Sequence, residues 1–520
     1  MSGLGCAARS INVDATTHPS NAAPDSTTVK RYLPWIVATA LFMEQLDATI
    51  LNTAVPSVAN SLQVSALSLR AVVASYVLSL ALCIPLSGWL ADRFGTRHVF
   101  AAAIAWFTLA SMLCGLSTSV EMLTAARLLQ GMGAALMMPV GRLMMVRSFD
   151  KSELLVAMNF VIIPALLGPL LGPLLGGVIV HWFSWRVIFF VNLPVGLGAL
   201  WLVHRHLPDY RSALQRPLDV VGLLLFSLGS TLLSWLLGVF GEPPTGARVP
   251  ALWLLAITLL AAYGWHARRS AHPLLQLTLF RVCTFRVAVL GGFVTRLGLG
   301  AMPFLLPLLY QSALGLPAWQ AGLLMMPMAA AAMAMKALAP RLLARYGYRR
   351  VLTVNTVLIG LTIGLFSLVG AGTPLIAPVM LGLAMGLFNS LQFSSMNSMS
   401  YADIDAVTAS MAATVSSTLQ HMSLSFGLAI GSLLAHAYLG GLPQSDHLAL
   451  GRALHLTFLT LGALTMLSSL VFWTLRPGAG DSVSQGRFGL NRGDEAGAHL
   501  IPTRSSTCEP ALGVVRRAAQ

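Results

Sequence analysis

Residues 88–97 read Gly88-Trp89-Leu90-Ala91-Asp92-Arg93-Phe94-Gly95-Thr96-Arg97, a short charged turn set between two apolar runs. A second copy begins 252 residues later as Pro340-Arg341-Leu342-Leu343-Ala344-Arg345-Tyr346-Gly347-Tyr348-Arg349. Arg and Gly fall at matching offsets, and each copy joins two apolar segments of helical length. A repeat at half-chain spacing predicts two related halves, with any path between them near the bilayer midplane. Ala344 stands where the first copy has Asp92, so the two turns differ in charge.

Composition fixes the environment of those runs. The chain has 520 residues, 56% of them hydrophobic and 10% charged, with mean hydropathy +0.75. A soluble domain carries roughly 25% charged residues, so most of this surface faces lipid. Fourteen spans are predicted, roughly 33–56, 71–91, 99–117, 122–146, 155–180, 187–205, 220–240, 250–267, 287–311, 319–340, 351–370, 375–397, 407–438 and 451–474. The fifth and thirteenth are long enough that parts of them are expected in loops or at the interface. The polar opening residues lack a basic region followed by a small-residue cleavage site, so a removable signal peptide is not expected.

The positive charge reports topology. With the amino terminus in the cytoplasm, 25 of the 32 Lys and Arg fall on the inner side, four lie outside and three (Arg127, Arg296 and Lys336) lie within spans. That is a positive-inside asymmetry. The net charge of +14 is therefore not read as a nucleic-acid footprint. Five scattered cysteines show neither a paired nor a metal-binding pattern, so no disulfide or zinc role is expected. The organisation predicted is a disordered cytoplasmic tail at 1–31, a six-helix unit at 32–206 and an inserted pair at 217–268. A second six-helix unit follows at 284–475, then a disordered cytoplasmic tail at 476–520. No nucleotide-binding loop, Ser/His/Asp set or metal cluster is present in the sequence, so neither enzymatic chemistry nor a cofactor is expected.

Of the 18 acidic residues, only Glu44 and Asp47 sit well inside a span. Three positions apart, they share one helix face. A carboxylate in hydrocarbon is costly, so such groups face a cavity and do work. Asp47 is the candidate proton carrier, with Glu44 as modulator or second site; the alternative is that Asp47 stays ionised and simply holds Arg127. Arg127 keeps its charge at any working pH, and pairing with Asp47 only when the acid is charged would make a two-state switch. The plainer reading is an arginine snorkelling to the outer interface. Arg296 and Lys336 suggest a positively biased cavity wall; the equal alternative is that Arg296 pairs with backbone carbonyls and Lys336 snorkels inward. Polar Asn52, Gln130, Tyr310, Gln311, Asn389, Gln392 and Asn397 could line a path, although each one taken singly is better read as an interhelical hydrogen bond.

The motifs resemble the major facilitator superfamily, in particular its fourteen-span drug:proton antiporter branch. Leu46-Asp47-Ala48-Thr49-Ile50-Leu51-Asn52-Thr53-Ala54-Val55-Pro56 is similar to that branch's first-helix motif. Residues 88–97 match the superfamily's Gly-x-Leu-Ala-Asp-Arg-x-Gly signature, and Arg127-Leu128-Leu129-Gln130-Gly131-Met132-Gly133 its Arg-x-x-Gln-Gly element. Gly168-Pro169-Leu170-Leu171-Gly172-Pro173-Leu174-Leu175-Gly176-Gly177 resembles the antiporter motif, though its early glycine is missing. Trp185-Arg186 with Phe189-Phe190-Val191-Asn192-Leu193-Pro194-Val195-Gly196 also looks like this branch.

The resemblance implies an all-α fold of two six-helix bundles plus two inserted helices. It implies a gate at Gly88, Asp92, Arg93, Gly95 and Arg97, with Arg345, Gly347 and Arg349 in the second copy. Asp92 is expected at a following helix start, favouring its dipole. Gly168, Gly172, Pro173, Gly176 and Gly177 are expected to seal a proton path or act as a hinge; a simple close-packing face is the alternative. The activity implied is proton-driven export of small amphipathic compounds across a bacterial inner membrane, by a monomer with both termini inside. A periplasmic adaptor is left open. Export of an anionic metabolite such as an organic acid or metal-chelate is the first alternative, and a non-transporting membrane sensor the second.

Overall fold

A computed structural model describes residues 26–211, 217–240, 244–405, 408–444 and 446–475; most of both expected tails lies outside the described residues. Helix α1 spans Ser26–Leu62, α2 Ala66–Phe94, α3 Thr96–Gly115, α4 Val120–Ser148, α5 Lys151–Trp182, α6 Val187–His206 and α7 Val220–Leu236. Helix α8 spans Val249–Arg269, α9 Cys283–Ala313, α10 Ala318–Tyr346, α11 Tyr348–Leu368, α12 Ile376–Ser400, α13 Ala409–Leu439 and α14 His447–Trp473. Twelve of these are long and apolar enough to cross a bilayer. The other two are α1, 37 residues long and carrying the two buried acids, and α7, 17 apolar residues. Each predicted span corresponds to one helix. Among the described residues there is no strand.

Local chemistry explains most of the boundaries. Ser119 caps α4 by accepting from the Met122 amide, and Asp446 caps α14 by accepting from Leu448 and Ala449. Helix α1 begins at Ser26, ahead of the boundary at 32 that hydropathy suggested, and Lys30 at its start bonds Glu153 at 2.6 Å. Helix α5 runs unbroken through Pro164, Pro169 and Pro173, and α13 is one helix, so neither long span spills into a loop. Cys83 and Cys114 are free thiols, whereas Cys283 is disulfide-bonded, which the scattered cysteines had not suggested.

The repeat is visible in the backbone. Gly95 links α2 to α3 at φ 92°, and Gly347 links α10 to α11 at φ 73°. Left-handed φ is open to glycine at little cost, which is why both copies keep it there. Packing follows the same repeat: the second helix of each six-helix set meets the fifth of the other, α2 against α13 and α10 against α5. The inserted helices pair mainly with each other, and only 11% of the most apolar stretch of α8 is buried, against 78% for α2. The inserted pair thus lies at the periphery.

The backbones of the two halves come into close approach where α5 meets α10. A Cβ on Gly177 of α5 would strike the Ala318 carbonyl and Trp319 of α10, and one on Gly322 would strike the Pro173 carbonyl and Leu174. Nearby, Gln311 Nε2 donates to the Thr53 carbonyl at 2.8 Å and Ser425 Oγ to the Ala74 carbonyl at 3.2 Å.

Candidate functional site

Asp47 lies midway along α1 and is the hub of a buried network. Arg127 of α4 donates through Nη1 to Asp47 Oδ2 at 2.5 Å, and neither side chain is more than 1% exposed. Gln130, one turn on, gives Nε2 to Asp47 Oδ1 at 2.9 Å and takes Arg127 Nη1 on its Oε1 at 2.8 Å. Asn192 of α6 gives Nδ2 to Asp47 Oδ1 at 2.9 Å and to Ser111 Oγ of α3 at 3.0 Å. Ser111 in turn donates to the Phe189 carbonyl. The guanidinium sits 4.1 Å from the Tyr76 ring centroid of α2, a cation–π contact that holds its face. Five helices therefore converge on one carboxylate. The carboxylate is satisfied by three donors, whereas Arg127 Nε is buried without a hydrogen-bond partner and the guanidinium relies on Asp47, Gln130 and the Tyr76 ring.

Sequence pattern found three members of this network, Asp47, Arg127 and Gln130. Arg127 does not snorkel to an interface; it points inward. Gln130 serves the acid rather than a cavity wall. Asn192 stood in a quoted motif but carried no role, and Ser111 and Tyr76 gave no signal at all, because nothing in α2 or α3 marks which polar residue turns inward.

Glu44 is separate from the network. It is 4% exposed, and its Oε2 has no hydrogen-bond partner. Arg142 and Asp47 are its electrostatic neighbours. A bare carboxylate in such a place would bear the full desolvation cost of an unpaired charge.

The glycine motif of α5 supports the helix that carries both acids. Gly168, Gly172 and Gly176 recur every four residues and face α1, where Cβ atoms would run into Gln45 and Leu46, Thr49, and Ile50 with Thr53 respectively. Thr53 Oγ1 donates to the Pro173 carbonyl at 3.0 Å and Thr49 Oγ1 to the Gly168 carbonyl at 3.3 Å. This face packs closely against α1.

The remaining candidates scatter. Asn52 is buried with Oδ1 unpartnered, Tyr310 is buried, and Gln311 bridges the halves. Gln392 is locked within the second half, taking Asn355 Nδ2 on Oε1 and giving Nε2 to Thr356 Oγ1. Lys336 and Asn389 are exposed, and Asn397 appears only as a backbone acceptor for Ser400. Arg296 is half-buried, its Cζ 5.8 Å from the Phe393 ring, and it forms no described ion pair. His421, which sequence reading passed over, lies near enough to feel its charge.

At the turn, Asp92 sits in the last turn of α2, not at the start of α3, and its Oδ1 accepts from Arg147 Nη2 at 2.9 Å. The segment after α6 laces the same turn shut. Asp209 accepts from the Arg97 amide at 3.2 Å and pairs with His98 Nδ1 and Arg211 Nε, both at 3.1 Å. Tyr210 exchanges bonds with Thr96, its carbonyl taking the Thr96 amide and its amide bonding Thr96 Oγ1. Gly88 and Arg93 are exposed, with Arg93 Cζ 5.4 Å from the Trp89 ring. In the second copy Arg345 stacks on Tyr346, and Arg349 is half-buried with its carbonyl bonded by Thr353.

Comparison with known proteins agrees with this geometry. The family model described as Major Facilitator Superfamily matches residues 37–431. The chain is 39% identical over 453 residues to a protein of Salmonella paratyphi A named "Putative multidrug resistance protein MdtD", covering 86% of this chain and 95% of that one. It is 39% identical over 454 residues to the protein of the same name in Pectobacterium carotovorum, covering 85% and 95%. Among solved structures, a D-xylose-proton symporter superposes with TM-score 0.63 at 14% identity, covering 87% of this chain and 99% of that one. A POT family transporter in complex with a thioalcohol-conjugated peptide gives TM-score 0.64 at 14% identity, covering 85% and 95%. At such identity these two bear on the fold alone. Two six-helix sets with a pair of helices between them, a charged network in the first set, and this likeness over most of the length lead to one conclusion: the chain belongs to the Major Facilitator Superfamily and is a multi-pass membrane transporter, not an enzyme.

Proposed function

We propose that this protein is a proton-driven exporter of small amphipathic compounds, acting as a monomer in a bacterial inner membrane with both termini in the cytoplasm. The observation that carries the reading is the pair of acids on α1: Asp47 ion-paired and sealed, Glu44 buried with an oxygen unpartnered. The network makes Asp47 a poor proton carrier in this conformation, since three donors already hold its charged form. Glu44 takes that role, shedding its proton when it meets water or a closer cation in another conformation. Drug-like substrates are favoured by the names of the 39% identical relatives. With the termini inside, the Gly177–Gly322 seam would lie toward the outer face.

The test is transport into inverted membrane vesicles with and without a proton gradient, using ethidium as the probe. Accumulation should require the gradient in the wild type and fall to the no-gradient level in Glu44→Gln. Undiminished gradient-driven transport in that variant rejects Glu44 as the coupling acid, and gradient-independent wild-type transport rejects proton coupling altogether.

A second reading, export of an anionic metabolite, is favoured by Arg296 beside His421 with no described acid to balance it. Acceleration by carboxylates and indifference to cationic dyes in the same vesicles would select it.

A further inference from the structure

Outside the buried network, a concavity lies on the flank of the first half. It is a furrow of about 460 Å³ between α2, α3 and α4, its lining including Leu90, Phe94, Ala102, Trp106, Met132 and Gly133. The furrow exists because small residues form its floor, Ala102 and Gly133 among them, while larger ones form its walls. Phe94, Trp106 and Met132 are 50%, 48% and 41% exposed. Trp106 is pinned by its Nε1–H, which donates to the Leu129 carbonyl at 2.8 Å. Roughly 300–1,000 Å³ is the size of pockets that hold a small ligand or chain.

One end of the furrow is apolar and the other is charged. His98 lines it at the α2–α3 turn, with its side chain 64% exposed. Arg93 stacks its guanidinium 5.9 Å from the Phe94 ring. Arg97 and Arg211 lie alongside, joined to the same turn through Asp209 and the His204 carbonyl. Asp209 offsets part of this charge and Asp92 is taken by Arg147, so the rim keeps an excess of cations. Clustered basic residues beside an apolar membrane surface attract anionic headgroups.

We propose that this furrow is a binding site for one anionic phospholipid of the surrounding leaflet. An acyl chain lies along Trp106 and Met132, and the phosphate meets Arg93 and His98 at the turn. The proposal does not depend on what the protein transports. It places a lipid against the turn that Asp209 and Asp92 hold closed, so a headgroup drawing on His98 competes with Asp209 for it.

The test is native mass spectrometry of the full chain released from maltoside micelles after incubation with palmitoyl-oleoyl-phosphatidylglycerol or the matching phosphatidylcholine. Wild type should retain one phosphatidylglycerol at least tenfold more than phosphatidylcholine. Ala102→Trp, which fills the furrow, should abolish retention of that lipid, and Arg93→Gln with His98→Gln should erase the headgroup preference while keeping weak binding of both. Equal retention of the two lipids by the wild type overturns the proposal. Preference that survives in both variants overturns it too, by assigning the lipid to another basic surface. Should Ala102→Trp fail to fold, as judged by its thermal unfolding, the paired Arg93 and His98 variant decides alone.

Discussion

Asp47 and Arg127, eighty residues apart, form a salt bridge from which water is excluded, and Gln130 bonds to both partners. Such a pair contributes less through its attraction than it would cost to break. Removing one partner of a buried pair typically destabilises by about 3–5 kcal/mol, because the other charge is left uncompensated. Asp47→Asn and Arg127→Gln should each lower the thermal unfolding temperature in detergent sharply. The double variant should be more stable than either single one, and additive losses would contradict the geometry.

The turn at 95–98 should be the most sensitive point of the lacing by the segment after α6. Gly95 sits at φ 92°, and a Cβ there would collide with the Asp209 carboxyl. A positive φ of this kind costs an ordinary residue on the order of 1–3 kcal/mol before any collision. Gly95→Ala and Asp209→Ala should both speed hydrogen exchange at residues 96–99 while leaving α12 unchanged. Exchange at wild-type rates in Asp209→Ala would mean the segment after α6 does not secure the turn.

Asp219 clasps the inserted pair and should make it sensitive to acid. Burial works to raise its pKa, but bonds from the Gly222 amide, His266 and the Leu274 amide outweigh that and hold it below the usual carboxylate range. A depressed pKa contributes stability that is complete above the unfolded value, near ~4, and is lost as pH falls through the folded one. Hydrogen exchange at the start of α7, corrected for intrinsic rate, should therefore be flat from pH 7 to 5 and rise only in stronger acid. Asp219→Ala should remove that dependence and cost about 0.5–2 kcal/mol, as loss of a helix cap does.

Much of this was legible from residues alone. The fourteen helices follow from hydropathy, the doubled turn from its glycines, and Asp47, Arg127 and Gln130 from polar groups stranded in apolar runs. What escaped has a common cause. Asp209 lies 112 residues from Arg97 in a short polar loop, where no periodicity says which side chain folds back. Gln392 looked like a cavity residue because its partners Asn355 and Thr356 lie on another helix, and pairing between helices leaves no trace in spacing. Glu44 and Asp47 look alike in one dimension; only the donors arriving from α4 and α6 separate them.

Replacing Gly322 with leucine should drive the halves apart at the end where they now meet. The Pro173 carbonyl and Leu174 occupy the space the new side chain needs. Spin labels at positions 181 and 316 should read a longer distance in Gly322→Leu than in wild type. An unchanged distance would mean that α5 and α10 can accommodate bulk without separating.

That seam, where Gly177 and Gly322 touch carbonyls instead of side chains, also limits how the molecule can move. Backbone lies against backbone at these two glycines, so parting α5 from α10 there needs entire rods to tilt and cannot be done by turning one side chain. Parting them bares two polar strips of peptide at once, which favours an abrupt passage between two settled shapes over a gradual yawning.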